Sequence, residues 1–219
     1  MIVTIDGPAG AGKSTVARGL AARLGYLFLD TGAMYRAATL AVMQDGNLED
    51  ASLRLAITKK MNLELSEGCV RIDGKDATAA IRTSEVTQNI HYVADDPAVR
   101  AILVARQQAI AKNQDVVTEG RDQGTVAFPD AECKIFLTAS AVERARRRQV
   151  ERTAKGDAVS IDSVRAAQDL RDRKDQDRAV GALKKADDAV EVVTDGMTIE
   201  EVIAHLEVLV RQKKKMHEN

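Results

Sequence analysis

The first stretch of the chain that could do chemistry is GPAGAGKS, residues 7–14, which fits the pattern G-x-x-x-x-G-K-[ST]. Glycines let such a loop turn tightly with its main-chain N–H groups pointing inward, and the start of the following helix adds partial positive charge. The enclosed space matches a polyphosphate. Lys13 would reach the β- and γ-phosphates of a nucleoside triphosphate, and the Ser14 hydroxyl would bind Mg²⁺. The motif leaves the acceptor of the phosphoryl group undecided.

Two later stretches place charged and polar side chains where strands end. In DTGAMYR, Tyr35 and Arg36 lie on the helix that follows the second predicted strand. In EGRDQGT, Glu119, Arg121 and Asp122 lie just past another strand end. Ligands of open parallel sheets bind in the crevice outside the carboxyl ends of the strands. We therefore expect these side chains to face a binding crevice.

The stretch RDRKDQDR gathers charges on one predicted helix. Arg171, Asp175 and Arg178 stand at i, i+4 and i+7, so they share one helix face. Arginine can hold phosphate oxygens through two parallel hydrogen bonds. Two interpretations stay open for Asp175, which either contacts a ligand or is a structural ion-pair partner of the arginines.

An earlier helix carries three more arginines on one face, Arg144, Arg147 and Arg148. They could bind phosphate. They could equally form a solvated face paired with Glu143 and Glu151, because surface charge pairs are common.

Short apolar runs alternate with helical patterns along the chain. MIVTI, YLFLD, DVVTEG, KIFLT and AVEVVT are the predicted strands, and apolar residues recur at helical spacing between them. Strands alternating with helices of about 10–15 residues favour an α/β fold with a parallel sheet and helices on both faces. Residues 60–82 differ, because LEL and VRI alternate around SEG and are followed by DG. This pattern predicts a small inserted antiparallel hairpin.

Three helices have start signals in the sequence. Asp96 can cap a helix whose first turn contains a proline. Ser140 with Glu143, and Thr198 with Glu201, match the capping box, in which the two side chains bind each other's main-chain N–H groups.

Composition excludes several function classes. The 219 residues carry a net charge of −1 and 3% aromatic residues with no Trp, which leaves no global field for nucleic acid and few rings on which bases could stack. No apolar run approaches the ~18 residues that cross a bilayer. Cys69 and Cys133 lack the spacing of a metal site, and without a signal peptide the sequence predicts a cytoplasmic protein. We expect the tail RQKKKMHEN to fray.

Five stretches together resemble bacterial cytidylate kinases: GPAGAGKST, DTGAMYR, IRTSEV, GRDQGTVAFPDA and RDRKDQDRAV, in this order and over nearly the full length. The resemblance implies transfer of the ATP γ-phosphate to CMP or dCMP by a P-loop kinase. It implies a core formed by residues 1–59 and 83–219, a nucleotide-binding insertion at 60–82, and a short helical lid at about 148–165.

The resemblance also implies roles for individual residues. ATP would be held by Gly7, Pro8, Ala9, Gly10, Ala11, Gly12, Lys13, Ser14 and Thr15. The acceptor nucleotide would be bound by Thr31, Tyr35, Arg36, Arg100, Arg121, Asp122, Arg171, Asp175 and Arg178. Lys13, Arg121, Arg171 and Arg178 would act on the transferred group, and Ser14 and, through water, Glu119 would hold Mg²⁺. One position departs from the family, because His91 stands where several relatives have a Ser that helps to hold the base.

The chemistry of a monophosphate acceptor agrees with this sequence. Its second pKa lies near 6, so its attacking oxygen is ionised at neutral pH and needs no general base, and the sequence offers no obvious one. UMP, AMP or a hydroxyl acceptor remain alternatives, the last with Asp30 as base. A nucleotide-hydrolysing switch is a further alternative, although no Asn-Lys-x-Asp motif appears. We expect a monomer that binds neither nucleic acid nor membrane.

Overall fold

The computed structural model describes residues 1–66, 68–154 and 156–217. The strands are β1 Ile2–Asp6, β2 Leu27–Asp30, β3 Leu63–Ser66, β4 Cys69–Ile72, β5 Lys75–Asp76, β6 Val116–Gly120, β7 Cys133–Thr138 and β8 Val190–Val193. The helices are α1 Lys13–Leu24, α2 Thr31–Asp45, α3 Ala51–Lys60, α4 Ser84–Ala94, α5 Pro97–Ala111, α6 Ala141–Thr153, α7 Ile161–Gln176 and α8 Ile199–His217. A 3₁₀ turn spans Ala80–Arg82, and a π-helical turn spans Gln123–Ala127.

A five-stranded sheet in the order β2-β6-β1-β7-β8 forms the centre of the fold. β1 is parallel to β6 and β7, and β7 is parallel to β8. The register places Asp6, at the end of β1, opposite Gly120 of β6 and Phe136 of β7. The segments that follow β1 and β6 therefore leave the sheet at the same edge. The predicted α/β class, with a parallel sheet and helices around it, is confirmed.

The chain divides into two compact units. The first unit is Met1–Leu29 with Asn113–Asn219, and the second unit is Asp30–Lys112. In the first unit, α1 and α8 pack on the sheet through apolar residues that include Leu20 of α1 and Leu206 of α8, both fully buried. This is the face that the 3.6-residue spacing in α1 predicts.

The second unit has its own core, in which Leu103 of α5 and Ile81 are fully buried. It contains an antiparallel sheet in the order β3-β4-β5. The predicted hairpin corresponds to β3 and β4, and the turn at Asp73 and Gly74 adds a third strand. The compact unit is wider than the predicted insertion at 60–82, because α2, α3, α4 and α5 pack with this sheet. The insertion boundaries stay a prediction.

Two of the three predicted helix caps form as expected. The Asp96 carboxylate accepts hydrogen bonds from the N–H groups of Ala98 and Val99. Thr198 and Glu201 bind each other's N–H groups in both directions.

The third predicted cap forms on one side only. The Ser140 hydroxyl accepts from the Glu143 N–H at 3.3 Å, but the Glu143 carboxylate pairs with Arg146 and Arg147 instead of returning to Ser140. Arginines in the next turn offer a charged donor, which competes successfully with a main-chain N–H.

The predicted fraying of the tail is wrong as far as His217, because α8 continues to that residue. Lys214 donates to the Tyr26 hydroxyl and to Asp115, so side-chain contacts hold the last turns of the helix on the first unit. None of the helices in the described residues is both long and apolar enough to cross a membrane.

Candidate active site

The glycine-rich stretch forms the loop between β1 and α1, and its residues Lys13, Ser14 and Thr15 begin the helix. Gly7 lies against the end of β7, and a Cβ atom there would stand 2.0 Å from the Leu137 carbonyl oxygen. Only glycine therefore fits at the first position of the loop. The loop is thus a main-chain turn that leads directly into a helix N-terminus, the arrangement that binds phosphate.

Lys13 is buried beside this loop, and its Nζ donates to the Pro8 carbonyl oxygen at 2.8 Å. Burial, together with the charges of Arg121 and Arg171, lowers the pKa of Lys13 from 10.5 to about 7, against the opposing effect of Glu119. A bound anion would favour the charged form of the lysine. The side chain is therefore suited to a phosphate that enters the loop.

Ser14 and Glu119 supply oxygen atoms suited to a hard cation. The Ser14 hydroxyl donates to Glu119 Oε1 at 2.8 Å, joining the start of α1 to β6. Within residues 1–66, 68–154 and 156–217, no three His, Cys, Asp or Glu side chains cluster as ligands for one metal ion. Mg²⁺ is commonly held by one or two protein oxygens together with substrate phosphates and water. The pair fits that mode of binding.

Asp175 gathers arginines from separate segments of the first unit. It accepts from Arg121 Nε at 2.8 Å and from Arg178 Nη2 at 2.7 Å. Burial alone would raise the pKa of Asp175, but the charges of Arg121, Arg171 and Arg178 hold this pKa below its ordinary value. Asp175 is therefore an ion-pair partner that also fixes guanidinium groups near one another.

The predicted helix face needs one correction. α7 ends at Gln176, so Arg178 lies beyond the helix and not one turn further along it. Its Nη1 donates to the Gly181 carbonyl oxygen at 3.2 Å, which turns the side chain back toward Asp175. Arg178 and Asp175 are close to each other, as predicted, but the loop after α7 and not the helix face brings them together.

Asp6 is a site residue that the sequence analysis missed. Its two carboxylate oxygens accept the N–H groups of Gln123 at 2.8 Å and Gly124 at 2.7 Å. These are the first N–H groups of the π-helical turn, which would otherwise lack partners. Asp6 thereby fixes the turn that follows Arg121 and the buried Asp122. Burial raises the pKa of Asp6 from 3.8 to about 6.

The second unit holds four of the predicted acceptor residues. Thr31 is buried at the start of α2, and Tyr35 follows one turn later. The Arg100 guanidinium lies over the Tyr35 ring, 5.2 Å from its centre, and donates to the Ala94 carbonyl oxygen. Arg36 donates to the Thr87 hydroxyl at 2.8 Å. The unit thus brings Tyr35 and Arg100 together.

Two further residues of interest lie in the same unit. Asp30 caps α2 by accepting from the Ala33 N–H at 2.9 Å, and Arg82 approaches its other oxygen at 3.6 Å. Asp30 is therefore engaged by a helix cap and a guanidinium, which disfavours it as a general base. His91 lies on α4, where its Nδ1 is 2.8 Å from the Gln88 carbonyl oxygen.

The three arginines of α6 do not share one environment: the solvated-face interpretation fails for the buried Arg144, whereas Arg147 forms the predicted pair with Glu143. Arg144 is buried and binds the main chain of the glycine loop. Arg147 donates to the Thr194 hydroxyl at 3.0 Å and to the Thr194 carbonyl oxygen at 2.8 Å. Arg148 is exposed and pairs with Glu151. Helical spacing predicted that these arginines share one face of α6. It could not predict that part of this face packs against the glycine loop.

Comparisons with known proteins agree on one family. Residues 3–212 match the family model described as "Cytidylate kinase". A protein of Rhodopirellula baltica named cytidylate kinase is 50% identical over 97% of this chain and 93% of its own length. A bifunctional pantoate ligase/cytidylate kinase of Synechococcus sp. WH7803 is also 50% identical, and the match covers 96% of this chain but 44% of that protein.

A solved structure shares the fold at low sequence identity. It is described as an uncharacterized protein from Eubacterium ventriosum, with a TM-score of 0.54 and 11% identity over 97% of this chain and 98% of that one. Similarity at this level concerns the fold alone.

Proposed function

The chain belongs to the cytidylate kinase family, and we propose that it transfers the γ-phosphoryl group of ATP directly to CMP and dCMP. The observation that supports the proposal best lies in the first unit. A glycine loop with a buried lysine shares this unit with a cluster of arginines around one carboxylate. Such a unit can serve two phosphate groups, a donor and an acceptor.

On the donor side, residues 7–15 hold the ATP phosphates. The main-chain N–H groups and the N-terminus of α1 stabilise the negative charge of the phosphates, and Lys13 binds the β- and γ-phosphates. Ser14, and Glu119 through water, would hold Mg²⁺. The ion, when bound, supplies positive charge that reduces repulsion between donor and acceptor oxygens.

On the acceptor side, no proton has to be removed. A monophosphate with a second pKa near 6 is ionised at neutral pH, so its oxygen is already a nucleophile. The reaction needs relief of charge repulsion and in-line positioning, which guanidinium groups supply. Arg121, Arg171 and Arg178 take this role, with Asp175 holding Arg121 and Arg178 in place.

The remaining acceptor contacts are also proposals. Arg36 and Thr31 would bind the acceptor nucleotide and its phosphate, and Arg100 and Asp122 would read the cytosine edge. Tyr35 would help to orient Arg100 for this contact, because the Arg100 guanidinium lies over its ring. We further propose a cytoplasmic monomer, which analytical ultracentrifugation would test for the oligomeric state.

A coupled assay of ADP release over a panel of CMP, dCMP, UMP and AMP tests the proposed reaction. We expect CMP and dCMP to lead, and the Lys13→Ala variant to lose on the order of 10²-fold or more in rate because phosphate charge is no longer balanced. A sugar in place of the nucleotide tests the hydroxyl-acceptor alternative. A panel led by AMP, or by a hydroxyl acceptor, would overturn the assignment.

A further inference from the structure

Ala9, in the middle of the glycine loop, is held on both of its main-chain groups by one buried ion pair. Its N–H donates to Asp172 Oδ1 at 3.0 Å. Its carbonyl oxygen accepts from Arg144 Nη1 at 2.9 Å. Arg144 also donates to the other oxygen of Asp172, so the three residues form a closed ring of hydrogen bonds. Both residues are more than nine-tenths buried.

The surrounding contacts fix this ring on every side. Arg144 Nε donates to the Ala139 carbonyl oxygen just before α6. Gln168 of α7 donates to the Arg144 carbonyl oxygen at 3.3 Å. A Cβ atom on Gly10 would lie 2.5 Å from Gln168 Nε2 and 3.2 Å from Arg144 Cβ. The two helices therefore pack directly on the loop, beside a residue whose positive φ of 80° favours glycine.

Stability alone does not explain a charged pair at this position. Buried ion pairs can often be replaced by apolar residues of similar size without loss of stability, because desolvation offsets their attraction. An apolar pair, however, cannot bind an N–H and a carbonyl group. Only a donor and an acceptor together can fix the orientation of both peptide groups that flank Ala9.

The position of Asp172 on α7 connects the loop to the arginine cluster. Asp172 directly follows Arg171 and lies three residues before Asp175, less than one helical turn away. Anchoring Asp172 to Ala9 therefore fixes the positions of Arg171 and Asp175 relative to the glycine loop.

We infer that Arg144 and Asp172 form a positioning clamp, which sets the shape of the glycine loop and its distance from Arg171 and Asp175. The clamp touches no reacting atom and acts through the main chain of Ala9. This inference rests on the proposed function only for its effect on phosphoryl transfer. Its effect on ATP binding stands independently.

Three variants separate positioning from stability: Arg144→Met, Asp172→Leu and the double variant. Each single change leaves an unpaired buried charge, so we expect both to unfold at lower urea concentration than the wild type. The double variant should recover most of this loss because no charge remains. Titration with a fluorescent ATP analogue should nevertheless show ~10- to 100-fold weaker binding by the double variant, since weakening one or two hydrogen bonds to charged phosphate oxygens changes a dissociation constant by about this factor.

Asp172→Asn keeps an oxygen for the Ala9 N–H but loses the negative charge and the second oxygen, which accepts from Arg144. We expect it to bind the ATP analogue more tightly than Asp172→Leu does, even where the two are equally destabilised. This comparison remains decisive if the double variant does not fold. Arg146→Met and Asp169→Asn are matched controls on the same two helices, because both residues form exposed pairs. Both should bind the analogue like the wild type.

The clamp is overturned if the double variant regains stability and binds the analogue like the wild type, or if Asp172→Asn and Asp172→Leu bind it equally. A wild-type protein that binds the analogue but phosphorylates no nucleotide would contradict the proposed function and leave this test intact.

Discussion

At the residue scale, Asp6 links the strand before the glycine loop to the turn after Arg121. Its pKa is raised by burial from 3.8 to about 6, so the folded state keeps a proton that the unfolded state releases between these values. The contribution of Asp6 to stability therefore falls as pH rises through this window. Asn does not titrate, and we expect the stability of the wild type relative to Asp6→Asn to fall by on the order of 2–3 kcal/mol from about pH 4 to pH 6.

Urea unfolding of both proteins across this range measures the difference. Asp115→Asn is a suitable control, because a hydrogen bond from the N-terminal amine lowers the pKa of Asp115. The contribution of Asp115 is present above its ordinary value of 3.8 and is lost as pH falls below it. A constant difference between the wild type and Asp6→Asn would show that Asp6 does not titrate in this window.

Sequence could predict residues that belong to a local motif and could not predict those that act across the chain. The spacing of the glycine loop predicts roles for Lys13 and Ser14, because every part of that signal lies within eight neighbouring residues. Asp6 and Asp172 act on N–H groups 117 and 163 positions away. No local pattern indicates such a partner, although Asp172 lies within the charged stretch RDRKDQDR.

At the element scale, Asp96 combines a helix cap with an ion pair. It caps α5, and its other oxygen accepts from Arg54 Nη2 at 2.9 Å and Nε at 3.1 Å. We expect Asp96→Ala to cost about 2–3 kcal/mol in unfolding free energy, since it removes both contacts. Asp96→Asn retains an oxygen for the cap and should cost less, and equal losses in urea unfolding would argue that the cap contributes nothing.

The proposed lid at about 148–165 comprises the end of α6, the connecting segment and the start of α7. Lys155 in this segment lies outside the described residues. The described residues from 156 to 158 are exposed, and Gly156 has a positive φ of 88°. Arg144 and Asp172, which form the clamp on α6 and α7, both lie outside 148–165. Closure would therefore involve residues 148–165 alone.

Hydrogen exchange tests this lid. A bisubstrate analogue that joins adenosine to cytidine through a phosphate chain should slow exchange within 148–165, because closure buries these amides. Amides of α8 serve as the internal control and should not change. Identical hydrogen exchange of residues 148–165 with and without the analogue would count against a lid.

Helix signals in the sequence were reliable where no stronger partner competed. Thr198 and Glu201 form the predicted reciprocal cap. Glu143 does not, because arginines one turn along α6 bind its carboxylate. Contacts with residues far apart in the sequence, Ala9 and Asp172, bury Arg144 although its spacing fits a surface face equally well.

At the scale of the whole molecule, the two units have separate apolar cores. Leu206→Ala empties space in the first core and Leu103→Ala in the second, and each should cost about 2–5 kcal/mol. We expect Leu103→Ala to speed hydrogen exchange in α2 and α5 more than in β1 and β7, and Leu206→Ala to do the reverse. Equal acceleration everywhere in both variants would mean that the units unfold only together.

Alternation of strands and helices was enough to predict the parallel sheet. The extent of the second unit could not be predicted in the same way, because it depends on which helices pack with the small antiparallel sheet. Alternation in β3 and β4 marks a local hairpin, whereas the packing of α2 with α4 joins residues far apart along the chain.

The two thiols lie one in each unit, and this gives the molecule a natural pair of chemical reporters. Cys133 is fully buried in β7, and burial raises its pKa to about 11, so it resists alkylation while the first unit is closed. Cys69 is half-buried on β4 of the second unit. Pulsed alkylation followed by mass spectrometry therefore times the opening of the first unit through Cys133, with Cys69 as the more accessible reference thiol and without any engineered label.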